Sequence, residues 1–253
     1  MKIGIMGAMH QEIEHIKKRM CVEKEERIAN RAYSTGKIDN IDVVLVFSNW
    51  GKVASACTAT TLIQKFGCDF IIFTGVAGAL SPDLNIGDIV VGSELVQHDM
   101  DASPIFPKCQ IPLTGVTFFK VEEKYADSAV EAAKSFLSRV DEKIGQKTLS
   151  QFFILNPTVK LGVIATGDQF IKNKADHSGL KFIEDKDPQA VEMEGAAVAQ
   201  VCHDNKVPFV VFRTISDKAD HGAHIDFEAF INQIAGQYAS GVVEEFMRVS
   251  FKS

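Results

Sequence analysis

At 253 residues, 46% of them hydrophobic and 24% charged, the chain has the composition of an ordinary soluble globular protein and the length to bury one sizeable core. Its formal net charge of -6 argues against a nucleic-acid or anionic-membrane partner held by bulk electrostatics. Met1 to Gly7 holds no apolar run of signal-peptide length, no other stretch approaches a membrane span, and Cys21, Cys57, Cys68, Cys109 and Cys202 show no C-x-x-C spacing; the expectation is a cytoplasmic protein with reduced thiols, neither disulfide-framed nor zinc-binding.

Lys2 to Met6 reads as a short buried strand, and Met9, Ile13, Ile16 and Met20 form a helical stripe after it. Val43 to Phe47 is a strand entering the loop Ser48-Asn49-Trp50-Gly51, and Lys52 to Phe66 is a helix. Phe70 to Thr74 is a continuous apolar strand running into Gly75-Val76-Ala77-Gly78, and Gly87 to Val91 opens another that ends near His98. Residues 100 to 116 carry Pro104, Pro107 and Pro112 and read as a long loop, of the kind that is often functional. Val121 to Ile144 is an amphipathic helix, and Gly145 to Pro157 is a connection anchored by Phe152 to Leu155. Lys160 to Thr166 is a strand followed by Gly167-Asp168, Val191 begins a strand that ends in acids, Pro208 to Ile215 is a strand ending in Ser216-Asp217, and Phe227 to Phe246 closes the chain as a helix. Strands alternating with helices, with no linker-like shift, predict an α/β fold: one three-layer αβα domain over residues 1–253, its central twisted sheet mixed and largely parallel.

Chemistry concentrates in Gln189 to Asp220, where two apolar runs each deliver carboxylates: Glu192, Met193 and Glu194 at one exit, Ser216 and Asp217 at the other. Strand ends of this kind build small-molecule sites at the rim of a sheet. Glu12 adds a third candidate acid. Each also has a plain reading, Glu12 as a complement to a helix dipole, Asp217 and Glu194 as helix caps; it is their joint placement at strand exits and first turns that favours a site. Glycines at Gly7, Gly51, Gly75 and Gly78 would let a ligand approach the backbone, but Gly4 to Met9 does not match the dinucleotide fingerprint. Asp220, His221, His224 and Asp226 mimic metal-ligand spacing, yet Gly222 argues against the helix that would align them, and His98-Asp99-x-Asp101 reads as a solvated loop; no metal and no cofactor are expected. Trp50, Phe106, Phe170 and Phe227 lie in or beside loops, where aromatics stack on a purine or anchor a loop to the core.

Gly4-Ile5-Met6-Gly7-Ala8-Met9 with Glu12, Ser48-Asn49-Trp50-Gly51-Lys52-Val53, Thr74-Gly75-Val76-Ala77-Gly78, Gly167-Asp168-Gln169-Phe170, Val191-Glu192-Met193-Glu194-Gly195-Ala196 and Ser216-Asp217 occur in this order along nearly the whole chain. In this the chain resembles the bacterial 5′-methylthioadenosine/S-adenosylhomocysteine nucleosidases, of the purine nucleoside and uridine phosphorylase superfamily. The resemblance implies a nucleoside phosphorylase-like fold, a nucleoside substrate, and hydrolysis of its N-glycosidic bond through an oxocarbenium-like transition state. It implies Asp217 as the acid that protonates adenine N7, oriented by Ser216, and Glu12 as the base that activates water. It implies Glu194 on the ribose hydroxyls, Met193 under the sugar, Glu192 beside them, and Arg213 ordering the water or Glu194. Val76, Ala77 and Gly78 would line the site, Phe170 and main-chain Ile171 would take adenine, and Met9, Trp50 and Phe227 the alkylthio group. A homodimer partner would complete the pocket through Ile105, Phe106 and Pro112. Val76, where many relatives carry a hydroxyl, and Trp50, where an aliphatic residue is usual, depart from the family pattern, and residues 102 to 116 depart most.

A phosphorylase on the same fold is the nearest rival. Phosphate as nucleophile needs arginines beside a glycine loop, whereas Arg19, Arg27 and Arg31 lie outside the Gly7 loop and Glu12 would repel a dianion. A non-catalytic nucleoside- or glycan-binding protein would show its loss at Glu12 or Asp217, and both are present.

Overall fold

The computed structural model describes residues 1–172, 180, 183, 186–219 and 223–251, with the backbone alone for 223–226. Apolar runs become the sheet: β1 (Lys2–Gly7) is buried over its last five residues, β4 (Ile41–Phe47) is buried at Val43 to Val46, and β5 (Phe70–Ala79) is buried at all but Gly78. Between β1 and β4 come α1 (His10–Lys17) and a hairpin, β2 (Cys21–Ile28) with β3 (Arg31–Ile38). This hairpin carries no apolar period because β2 is a charged outer strand with nearly every residue exposed, a common protection of a sheet edge.

The chain continues through α2 (Lys52–Gln64), β6 (Ile89–Gln97) and β7 (Phe119–Lys120). The helix expected over 121–144 is two, α3 (Glu123–Leu137) and α4 (Val140–Ile144). Val121 is held outside by its N–H on Ser93 O, and Arg139 leaves helical geometry (φ -126°) where its side chain pairs with Glu245. The connection after it contains α5 (Gln146–Gln151), and the expected anchor reduces to Ile154 and half-buried Phe152, since Phe153 and Leu155 are 87% and 76% exposed. β8 (Val159–Thr166), β9 (Ala190–Glu192), α6 (Gly195–Asn205) and β10 (Phe209–Asp217) follow, then α7 (Ala223–Phe230), a π turn at Ile231–Ala235 and α8 (Gly236–Phe251).

The sheet is mixed, as the alternation predicts, with helices packed around it: α8 contacts both α1 and α3, and α2 contacts α6. Parallel pairing holds the centre, β4 with β1, β1 with β5 and β5 with β10, while five of the ten pairings described are antiparallel. Pairing also closes on itself, since β5 bonds β10, β10 bonds β6, β6 bonds β8, β8 bonds β9, and β9 returns to β5 at Gly78 and Ala79. That closure rests on a three-residue strand and is invisible to periodicity. Paired along β10, and with β9 at its end, β5 runs through Gly75 to Gly78 as strand, where the glycines suggest a loop, and β9 and β10 both bring their acids to its carboxyl end. Among the described residues no helix is long and apolar enough to cross a membrane.

Candidate active site

All nine residues of β10 are buried, yet its second half reads Arg213, Thr214, Ile215, Ser216, Asp217. Polar groups carried so deep by a central strand must find partners or cost several kcal/mol each. Ser216 Oγ donates to Asp217 Oδ2 at 2.8 Å and Ala219 N donates to Asp217 Oδ1 at 2.8 Å. Gly78 on the neighbouring strand leaves room for this carboxyl: a Cβ there would lie 2.9 Å from Asp217 Oδ1.

Asp217 and Ser216 form one wall of a cavity of about 640 Å³, counted with its open mouth. Val76, Ala77 and Gly78 line it from β5, and Val191, Glu192, Met193 and Glu194 from the end of β9. Ala8 and Met9 close it at the start of α1, Trp50 at the loop before α2, Gln169, Phe170 and Ile171 after β8, and Phe227 from α7. Phe170 and Phe227 meet edge to face, centroids 5.6 Å apart at 74°, and give the cavity an aromatic wall.

Glu194 is 5% exposed, and its Oε1 accepts the Gly51 N–H at 2.9 Å. Burial first, and then the negative neighbour Glu192, push its pKa up to about 7, against the pull of Arg213. Glu192 is saturated: it accepts the N–H of Glu194 at 3.0 Å and of Gly195 at 2.7 Å, the Thr166 hydroxyl, and Arg213 through Nη2 at 2.6 Å and Nε at 3.2 Å.

Arg213 belongs to this buried pair rather than to Glu194 or the cavity. Its guanidinium lies 4.2 Å from the Phe73 ring centroid and 2.9 Å from where a Cβ of Gly75 would stand, and it is absent from the cavity wall. The resemblance implies that Arg213 orders the water or Glu194; in the structure its guanidinium pairs with Glu192, and its charge also bears on Glu194 and Glu12.

Glu12 likewise stands behind the wall, 1% exposed, with Oε2 accepting the N–H of Ala8 at 3.1 Å and of Met9 at 3.0 Å. It lies in the first turn of α1 and closes a capping box there with Met9. Desolvation pushes its pKa up to about 8, opposed by Arg213. Trp50 Nε1 donates to Ala8 O at 2.9 Å, fastening the Trp50 loop to the same turn.

Ile105, Phe106 and Pro112 do not reach this cavity within one chain; Ile105 is 81% exposed on the loop after β6. In the His98-Asp99-x-Asp101 grouping the side chains take other partners: His98 is buried against Gly167, Asp99 pairs with Lys52, and Asp101 bonds Ser103. Asp220 and His221, and the side chains of His224 and Asp226, lie outside the described residues, and among those described no group of three or more metal-ligating side chains forms. Ala8, Val191 and Gln169 line the cavity without having been singled out; Gln169 sits inside the Gly167-Asp168-Gln169-Phe170 motif, which was the available signal.

The family model described as the phosphorylase superfamily matches residues 2–248. A 5′-methylthioadenosine/S-adenosylhomocysteine nucleosidase of Haemophilus influenzae is 40% identical over 250 residues, 98% of this chain and all of that protein. An aminodeoxyfutalosine nucleosidase of Campylobacter jejuni is 38% identical, covering 91% of this chain and 92% of that one. The crystal structure of the Neisseria meningitidis 5′-methylthioadenosine/S-adenosylhomocysteine nucleosidase, in complex with methylthio-immucillin-A, superposes with a TM-score of 0.85 at 30% identity, covering 98% of each chain.

Proposed function

A chain matched from residue 2 to residue 248 belongs to the phosphorylase superfamily, and we propose that within it this protein is an N-glycosyl hydrolase that splits 5′-methylthioadenosine and S-adenosylhomocysteine into adenine and the corresponding thioribose. One observation carries the choice of water over phosphate: among the described residues, the ionisable side chains lining the cavity are Glu192, Glu194 and Asp217, with no lysine or arginine. Phosphorolysis needs cations to hold a dianion. The arginine that comes near, Arg213, is fully buried and already paired with Glu192.

In the reaction, a water oxygen bonds to the anomeric carbon as the bond to adenine breaks, its electron pair leaving with the base. Asp217, held by Ser216 and Ala219 N, gives its proton to adenine N7. Glu12 takes the proton from water; its ionised form is strongly basic because burial holds its pKa near 8. Glu194 binds the ribose hydroxyls over Met193, adenine lies beside Phe170 and Ile171, and the alkylthio group lies toward Met9, Trp50 and Phe227.

The site belongs to one domain spanning residues 1–253, and two chains pair as a homodimer in which Ile105, Phe106 and Pro112 of each close the other's cavity. Exposed apolar side chains on the two segments involved, Trp50 and Val53 on one and Ile105 and Leu113 on the other, support that face. Free cysteines at all five positions support a reducing, cytoplasmic setting, where the reaction serves methionine salvage. The test is adenine release from 5′-methylthioadenosine, S-adenosylhomocysteine and aminodeoxyfutalosine, with and without phosphate. Phosphate-independent release of adenine with a free thioribose is the expected result. A phosphate requirement with a sugar 1-phosphate product, or turnover of aminodeoxyfutalosine alone, overturns it.

A further inference from the structure

Three charged residues that do not line the cavity close a hydrogen-bonded ring around it. Lys52 Nζ bonds Asp99 Oδ1 at 2.6 Å; Asp99 Oδ2 accepts the Asp168 N–H at 2.9 Å; Asp168 Oδ1 accepts the Lys52 N–H at 2.8 Å. The ring joins the first residue of α2 to the segments just beyond β6 and β8, and the Lys52 and Asp99 side chains are 16% and 19% exposed. Two of its three segments lead into the site. Gly51, whose N–H bonds Glu194 Oε1, precedes Lys52, and Phe170 follows Asp168 by two residues. Gly51 holds φ +89°, and a Cβ on it would stand 3.0 Å from Asp168 Oδ1, so the segment is tight against the ring.

We propose that Lys52, Asp99 and Asp168 are positioning residues that hold the Gly51 N–H on Glu194 and the Asp168–Ile171 segment on the aromatic wall as one unit. The proposal uses the nucleosidase reading only for what Glu194 and Phe170 bind; the ring is a property of the chain without substrate. Lys52 would then act on the reaction without touching it, through the donor that favours the ionised form of Glu194.

The test uses Lys52→Met, Asp99→Ala and Lys52→Arg in the full chain, with Asp99→Asn as the variant that keeps the side chain's shape should alanine fail to fold. Glu194 is followed by carboxyl-carbon NMR titration, its resonance assigned with Glu194→Gln. Glu194 faces Glu192, Arg213 and Glu12, and these are the same in every variant. Direct electrostatics alone would move Glu194 in opposite senses, up on losing the Lys52 cation and down on losing the Asp99 anion. Loss of the Gly51 donor moves it up in both, from about 7, and Lys52→Arg keeps the wild-type value. Alongside, kcat/KM on 5′-methylthioadenosine falls about ten- to a hundredfold in Lys52→Met and Asp99→Ala, the span expected for losing one hydrogen bond to a charged group. Opposite or absent shifts of Glu194 overturn the proposal, as does lost activity with an unmoved titration, which marks the ring as merely structural. A wild-type protein inert toward 5′-methylthioadenosine overturns the functional reading instead and leaves the titration to judge the ring.

Discussion

Glu12→Gln should make the protein inactive and, above neutral pH, more stable. The folded protein holds the Glu12 carboxyl near pKa 8, chiefly because burial disfavours its charge, against an ordinary value of 4.5. Between those two values the folded chain keeps a proton that the unfolded chain gives up, so stability is whole below about pH 4.5 and drains away as pH rises toward 8. The slope for one group is ~1.4 kcal/mol per pH unit, and across this window it amounts to roughly 5 kcal/mol. Glu194, raised to about 7, adds to the decline in the same direction over the lower part of the window.

Glutamine removes the Glu12 share of that loss. Its amide oxygen can still accept from Ala8 N and Met9 N, while its buried NH₂ lacks an assured partner, a cost of about 1–3 kcal/mol. The expectation is therefore a crossing: the variant is less stable than wild type near pH 5 and more stable by about 2–4 kcal/mol near pH 8. Urea unfolding at a fixed protein concentration, followed by circular dichroism across that range, measures both curves. Parallel curves would show that Glu12 is not a proton reservoir in the folded state, and the reasoning that makes it a strong base would fail with them.

Asp217→Asn keeps the shape and an oxygen to accept Ala219 N, but has no acid proton to give; kcat should fall about 10²–10⁴-fold with the melting temperature unchanged, and near-normal turnover would remove Asp217 as the acid. Gly78→Ala places a methyl 2.9 Å from Asp217 Oδ1, so kcat should suffer more than stability, and the opposite split in paired rate and melting measurements would refute the close approach. Arg213→Met strands Glu192 in the core without its cation and should cost about 3–5 kcal/mol in urea unfolding; a loss under about 1 kcal/mol would mean that the backbone donors of Glu194 and Gly195 suffice.

What the sequence displayed of this protein follows from which forces act locally. β1, β5, β8 and β10 announce themselves because buried strands need unbroken apolar runs, and Glu12, Glu194 and Asp217 stand out because carboxylates at the ends of such runs are costly unless used. β2 stayed hidden because a charged edge strand has no apolar face, whereas β9, too short at three residues to carry a period, showed through the acids at its exit. Pairing with β10 makes Gly75 to Gly78 strand, and the return from β9 to β5 closes the circuit at Gly78 and Ala79; both are long-range pairings that local sequence does not display. The position of Arg213 four residues before Asp217 places it on β10, but does not reveal its pairing with Glu192.

The burial that makes these acids costly also explains how they would work together. In the folded protein Glu12 and Glu194 sit near 8 and 7, so at neutral pH the two carry less negative charge than their number suggests, and the fold tolerates them close to Glu192. The reaction draws on the fraction of protein in which Glu12 is already ionised, a fraction that grows as pH rises toward 8, and the raised pKa makes that carboxylate the better acceptor of the water proton. A sugar cation forming beside that carboxylate is attracted to it only as the transition state develops, which is the differential stabilisation that accelerates a reaction rather than merely binding its substrate. A phosphate dianion would instead raise these same pKa values and find no lysine or arginine among the described residues of the wall, so the electrostatics that favour water disfavour its competitor.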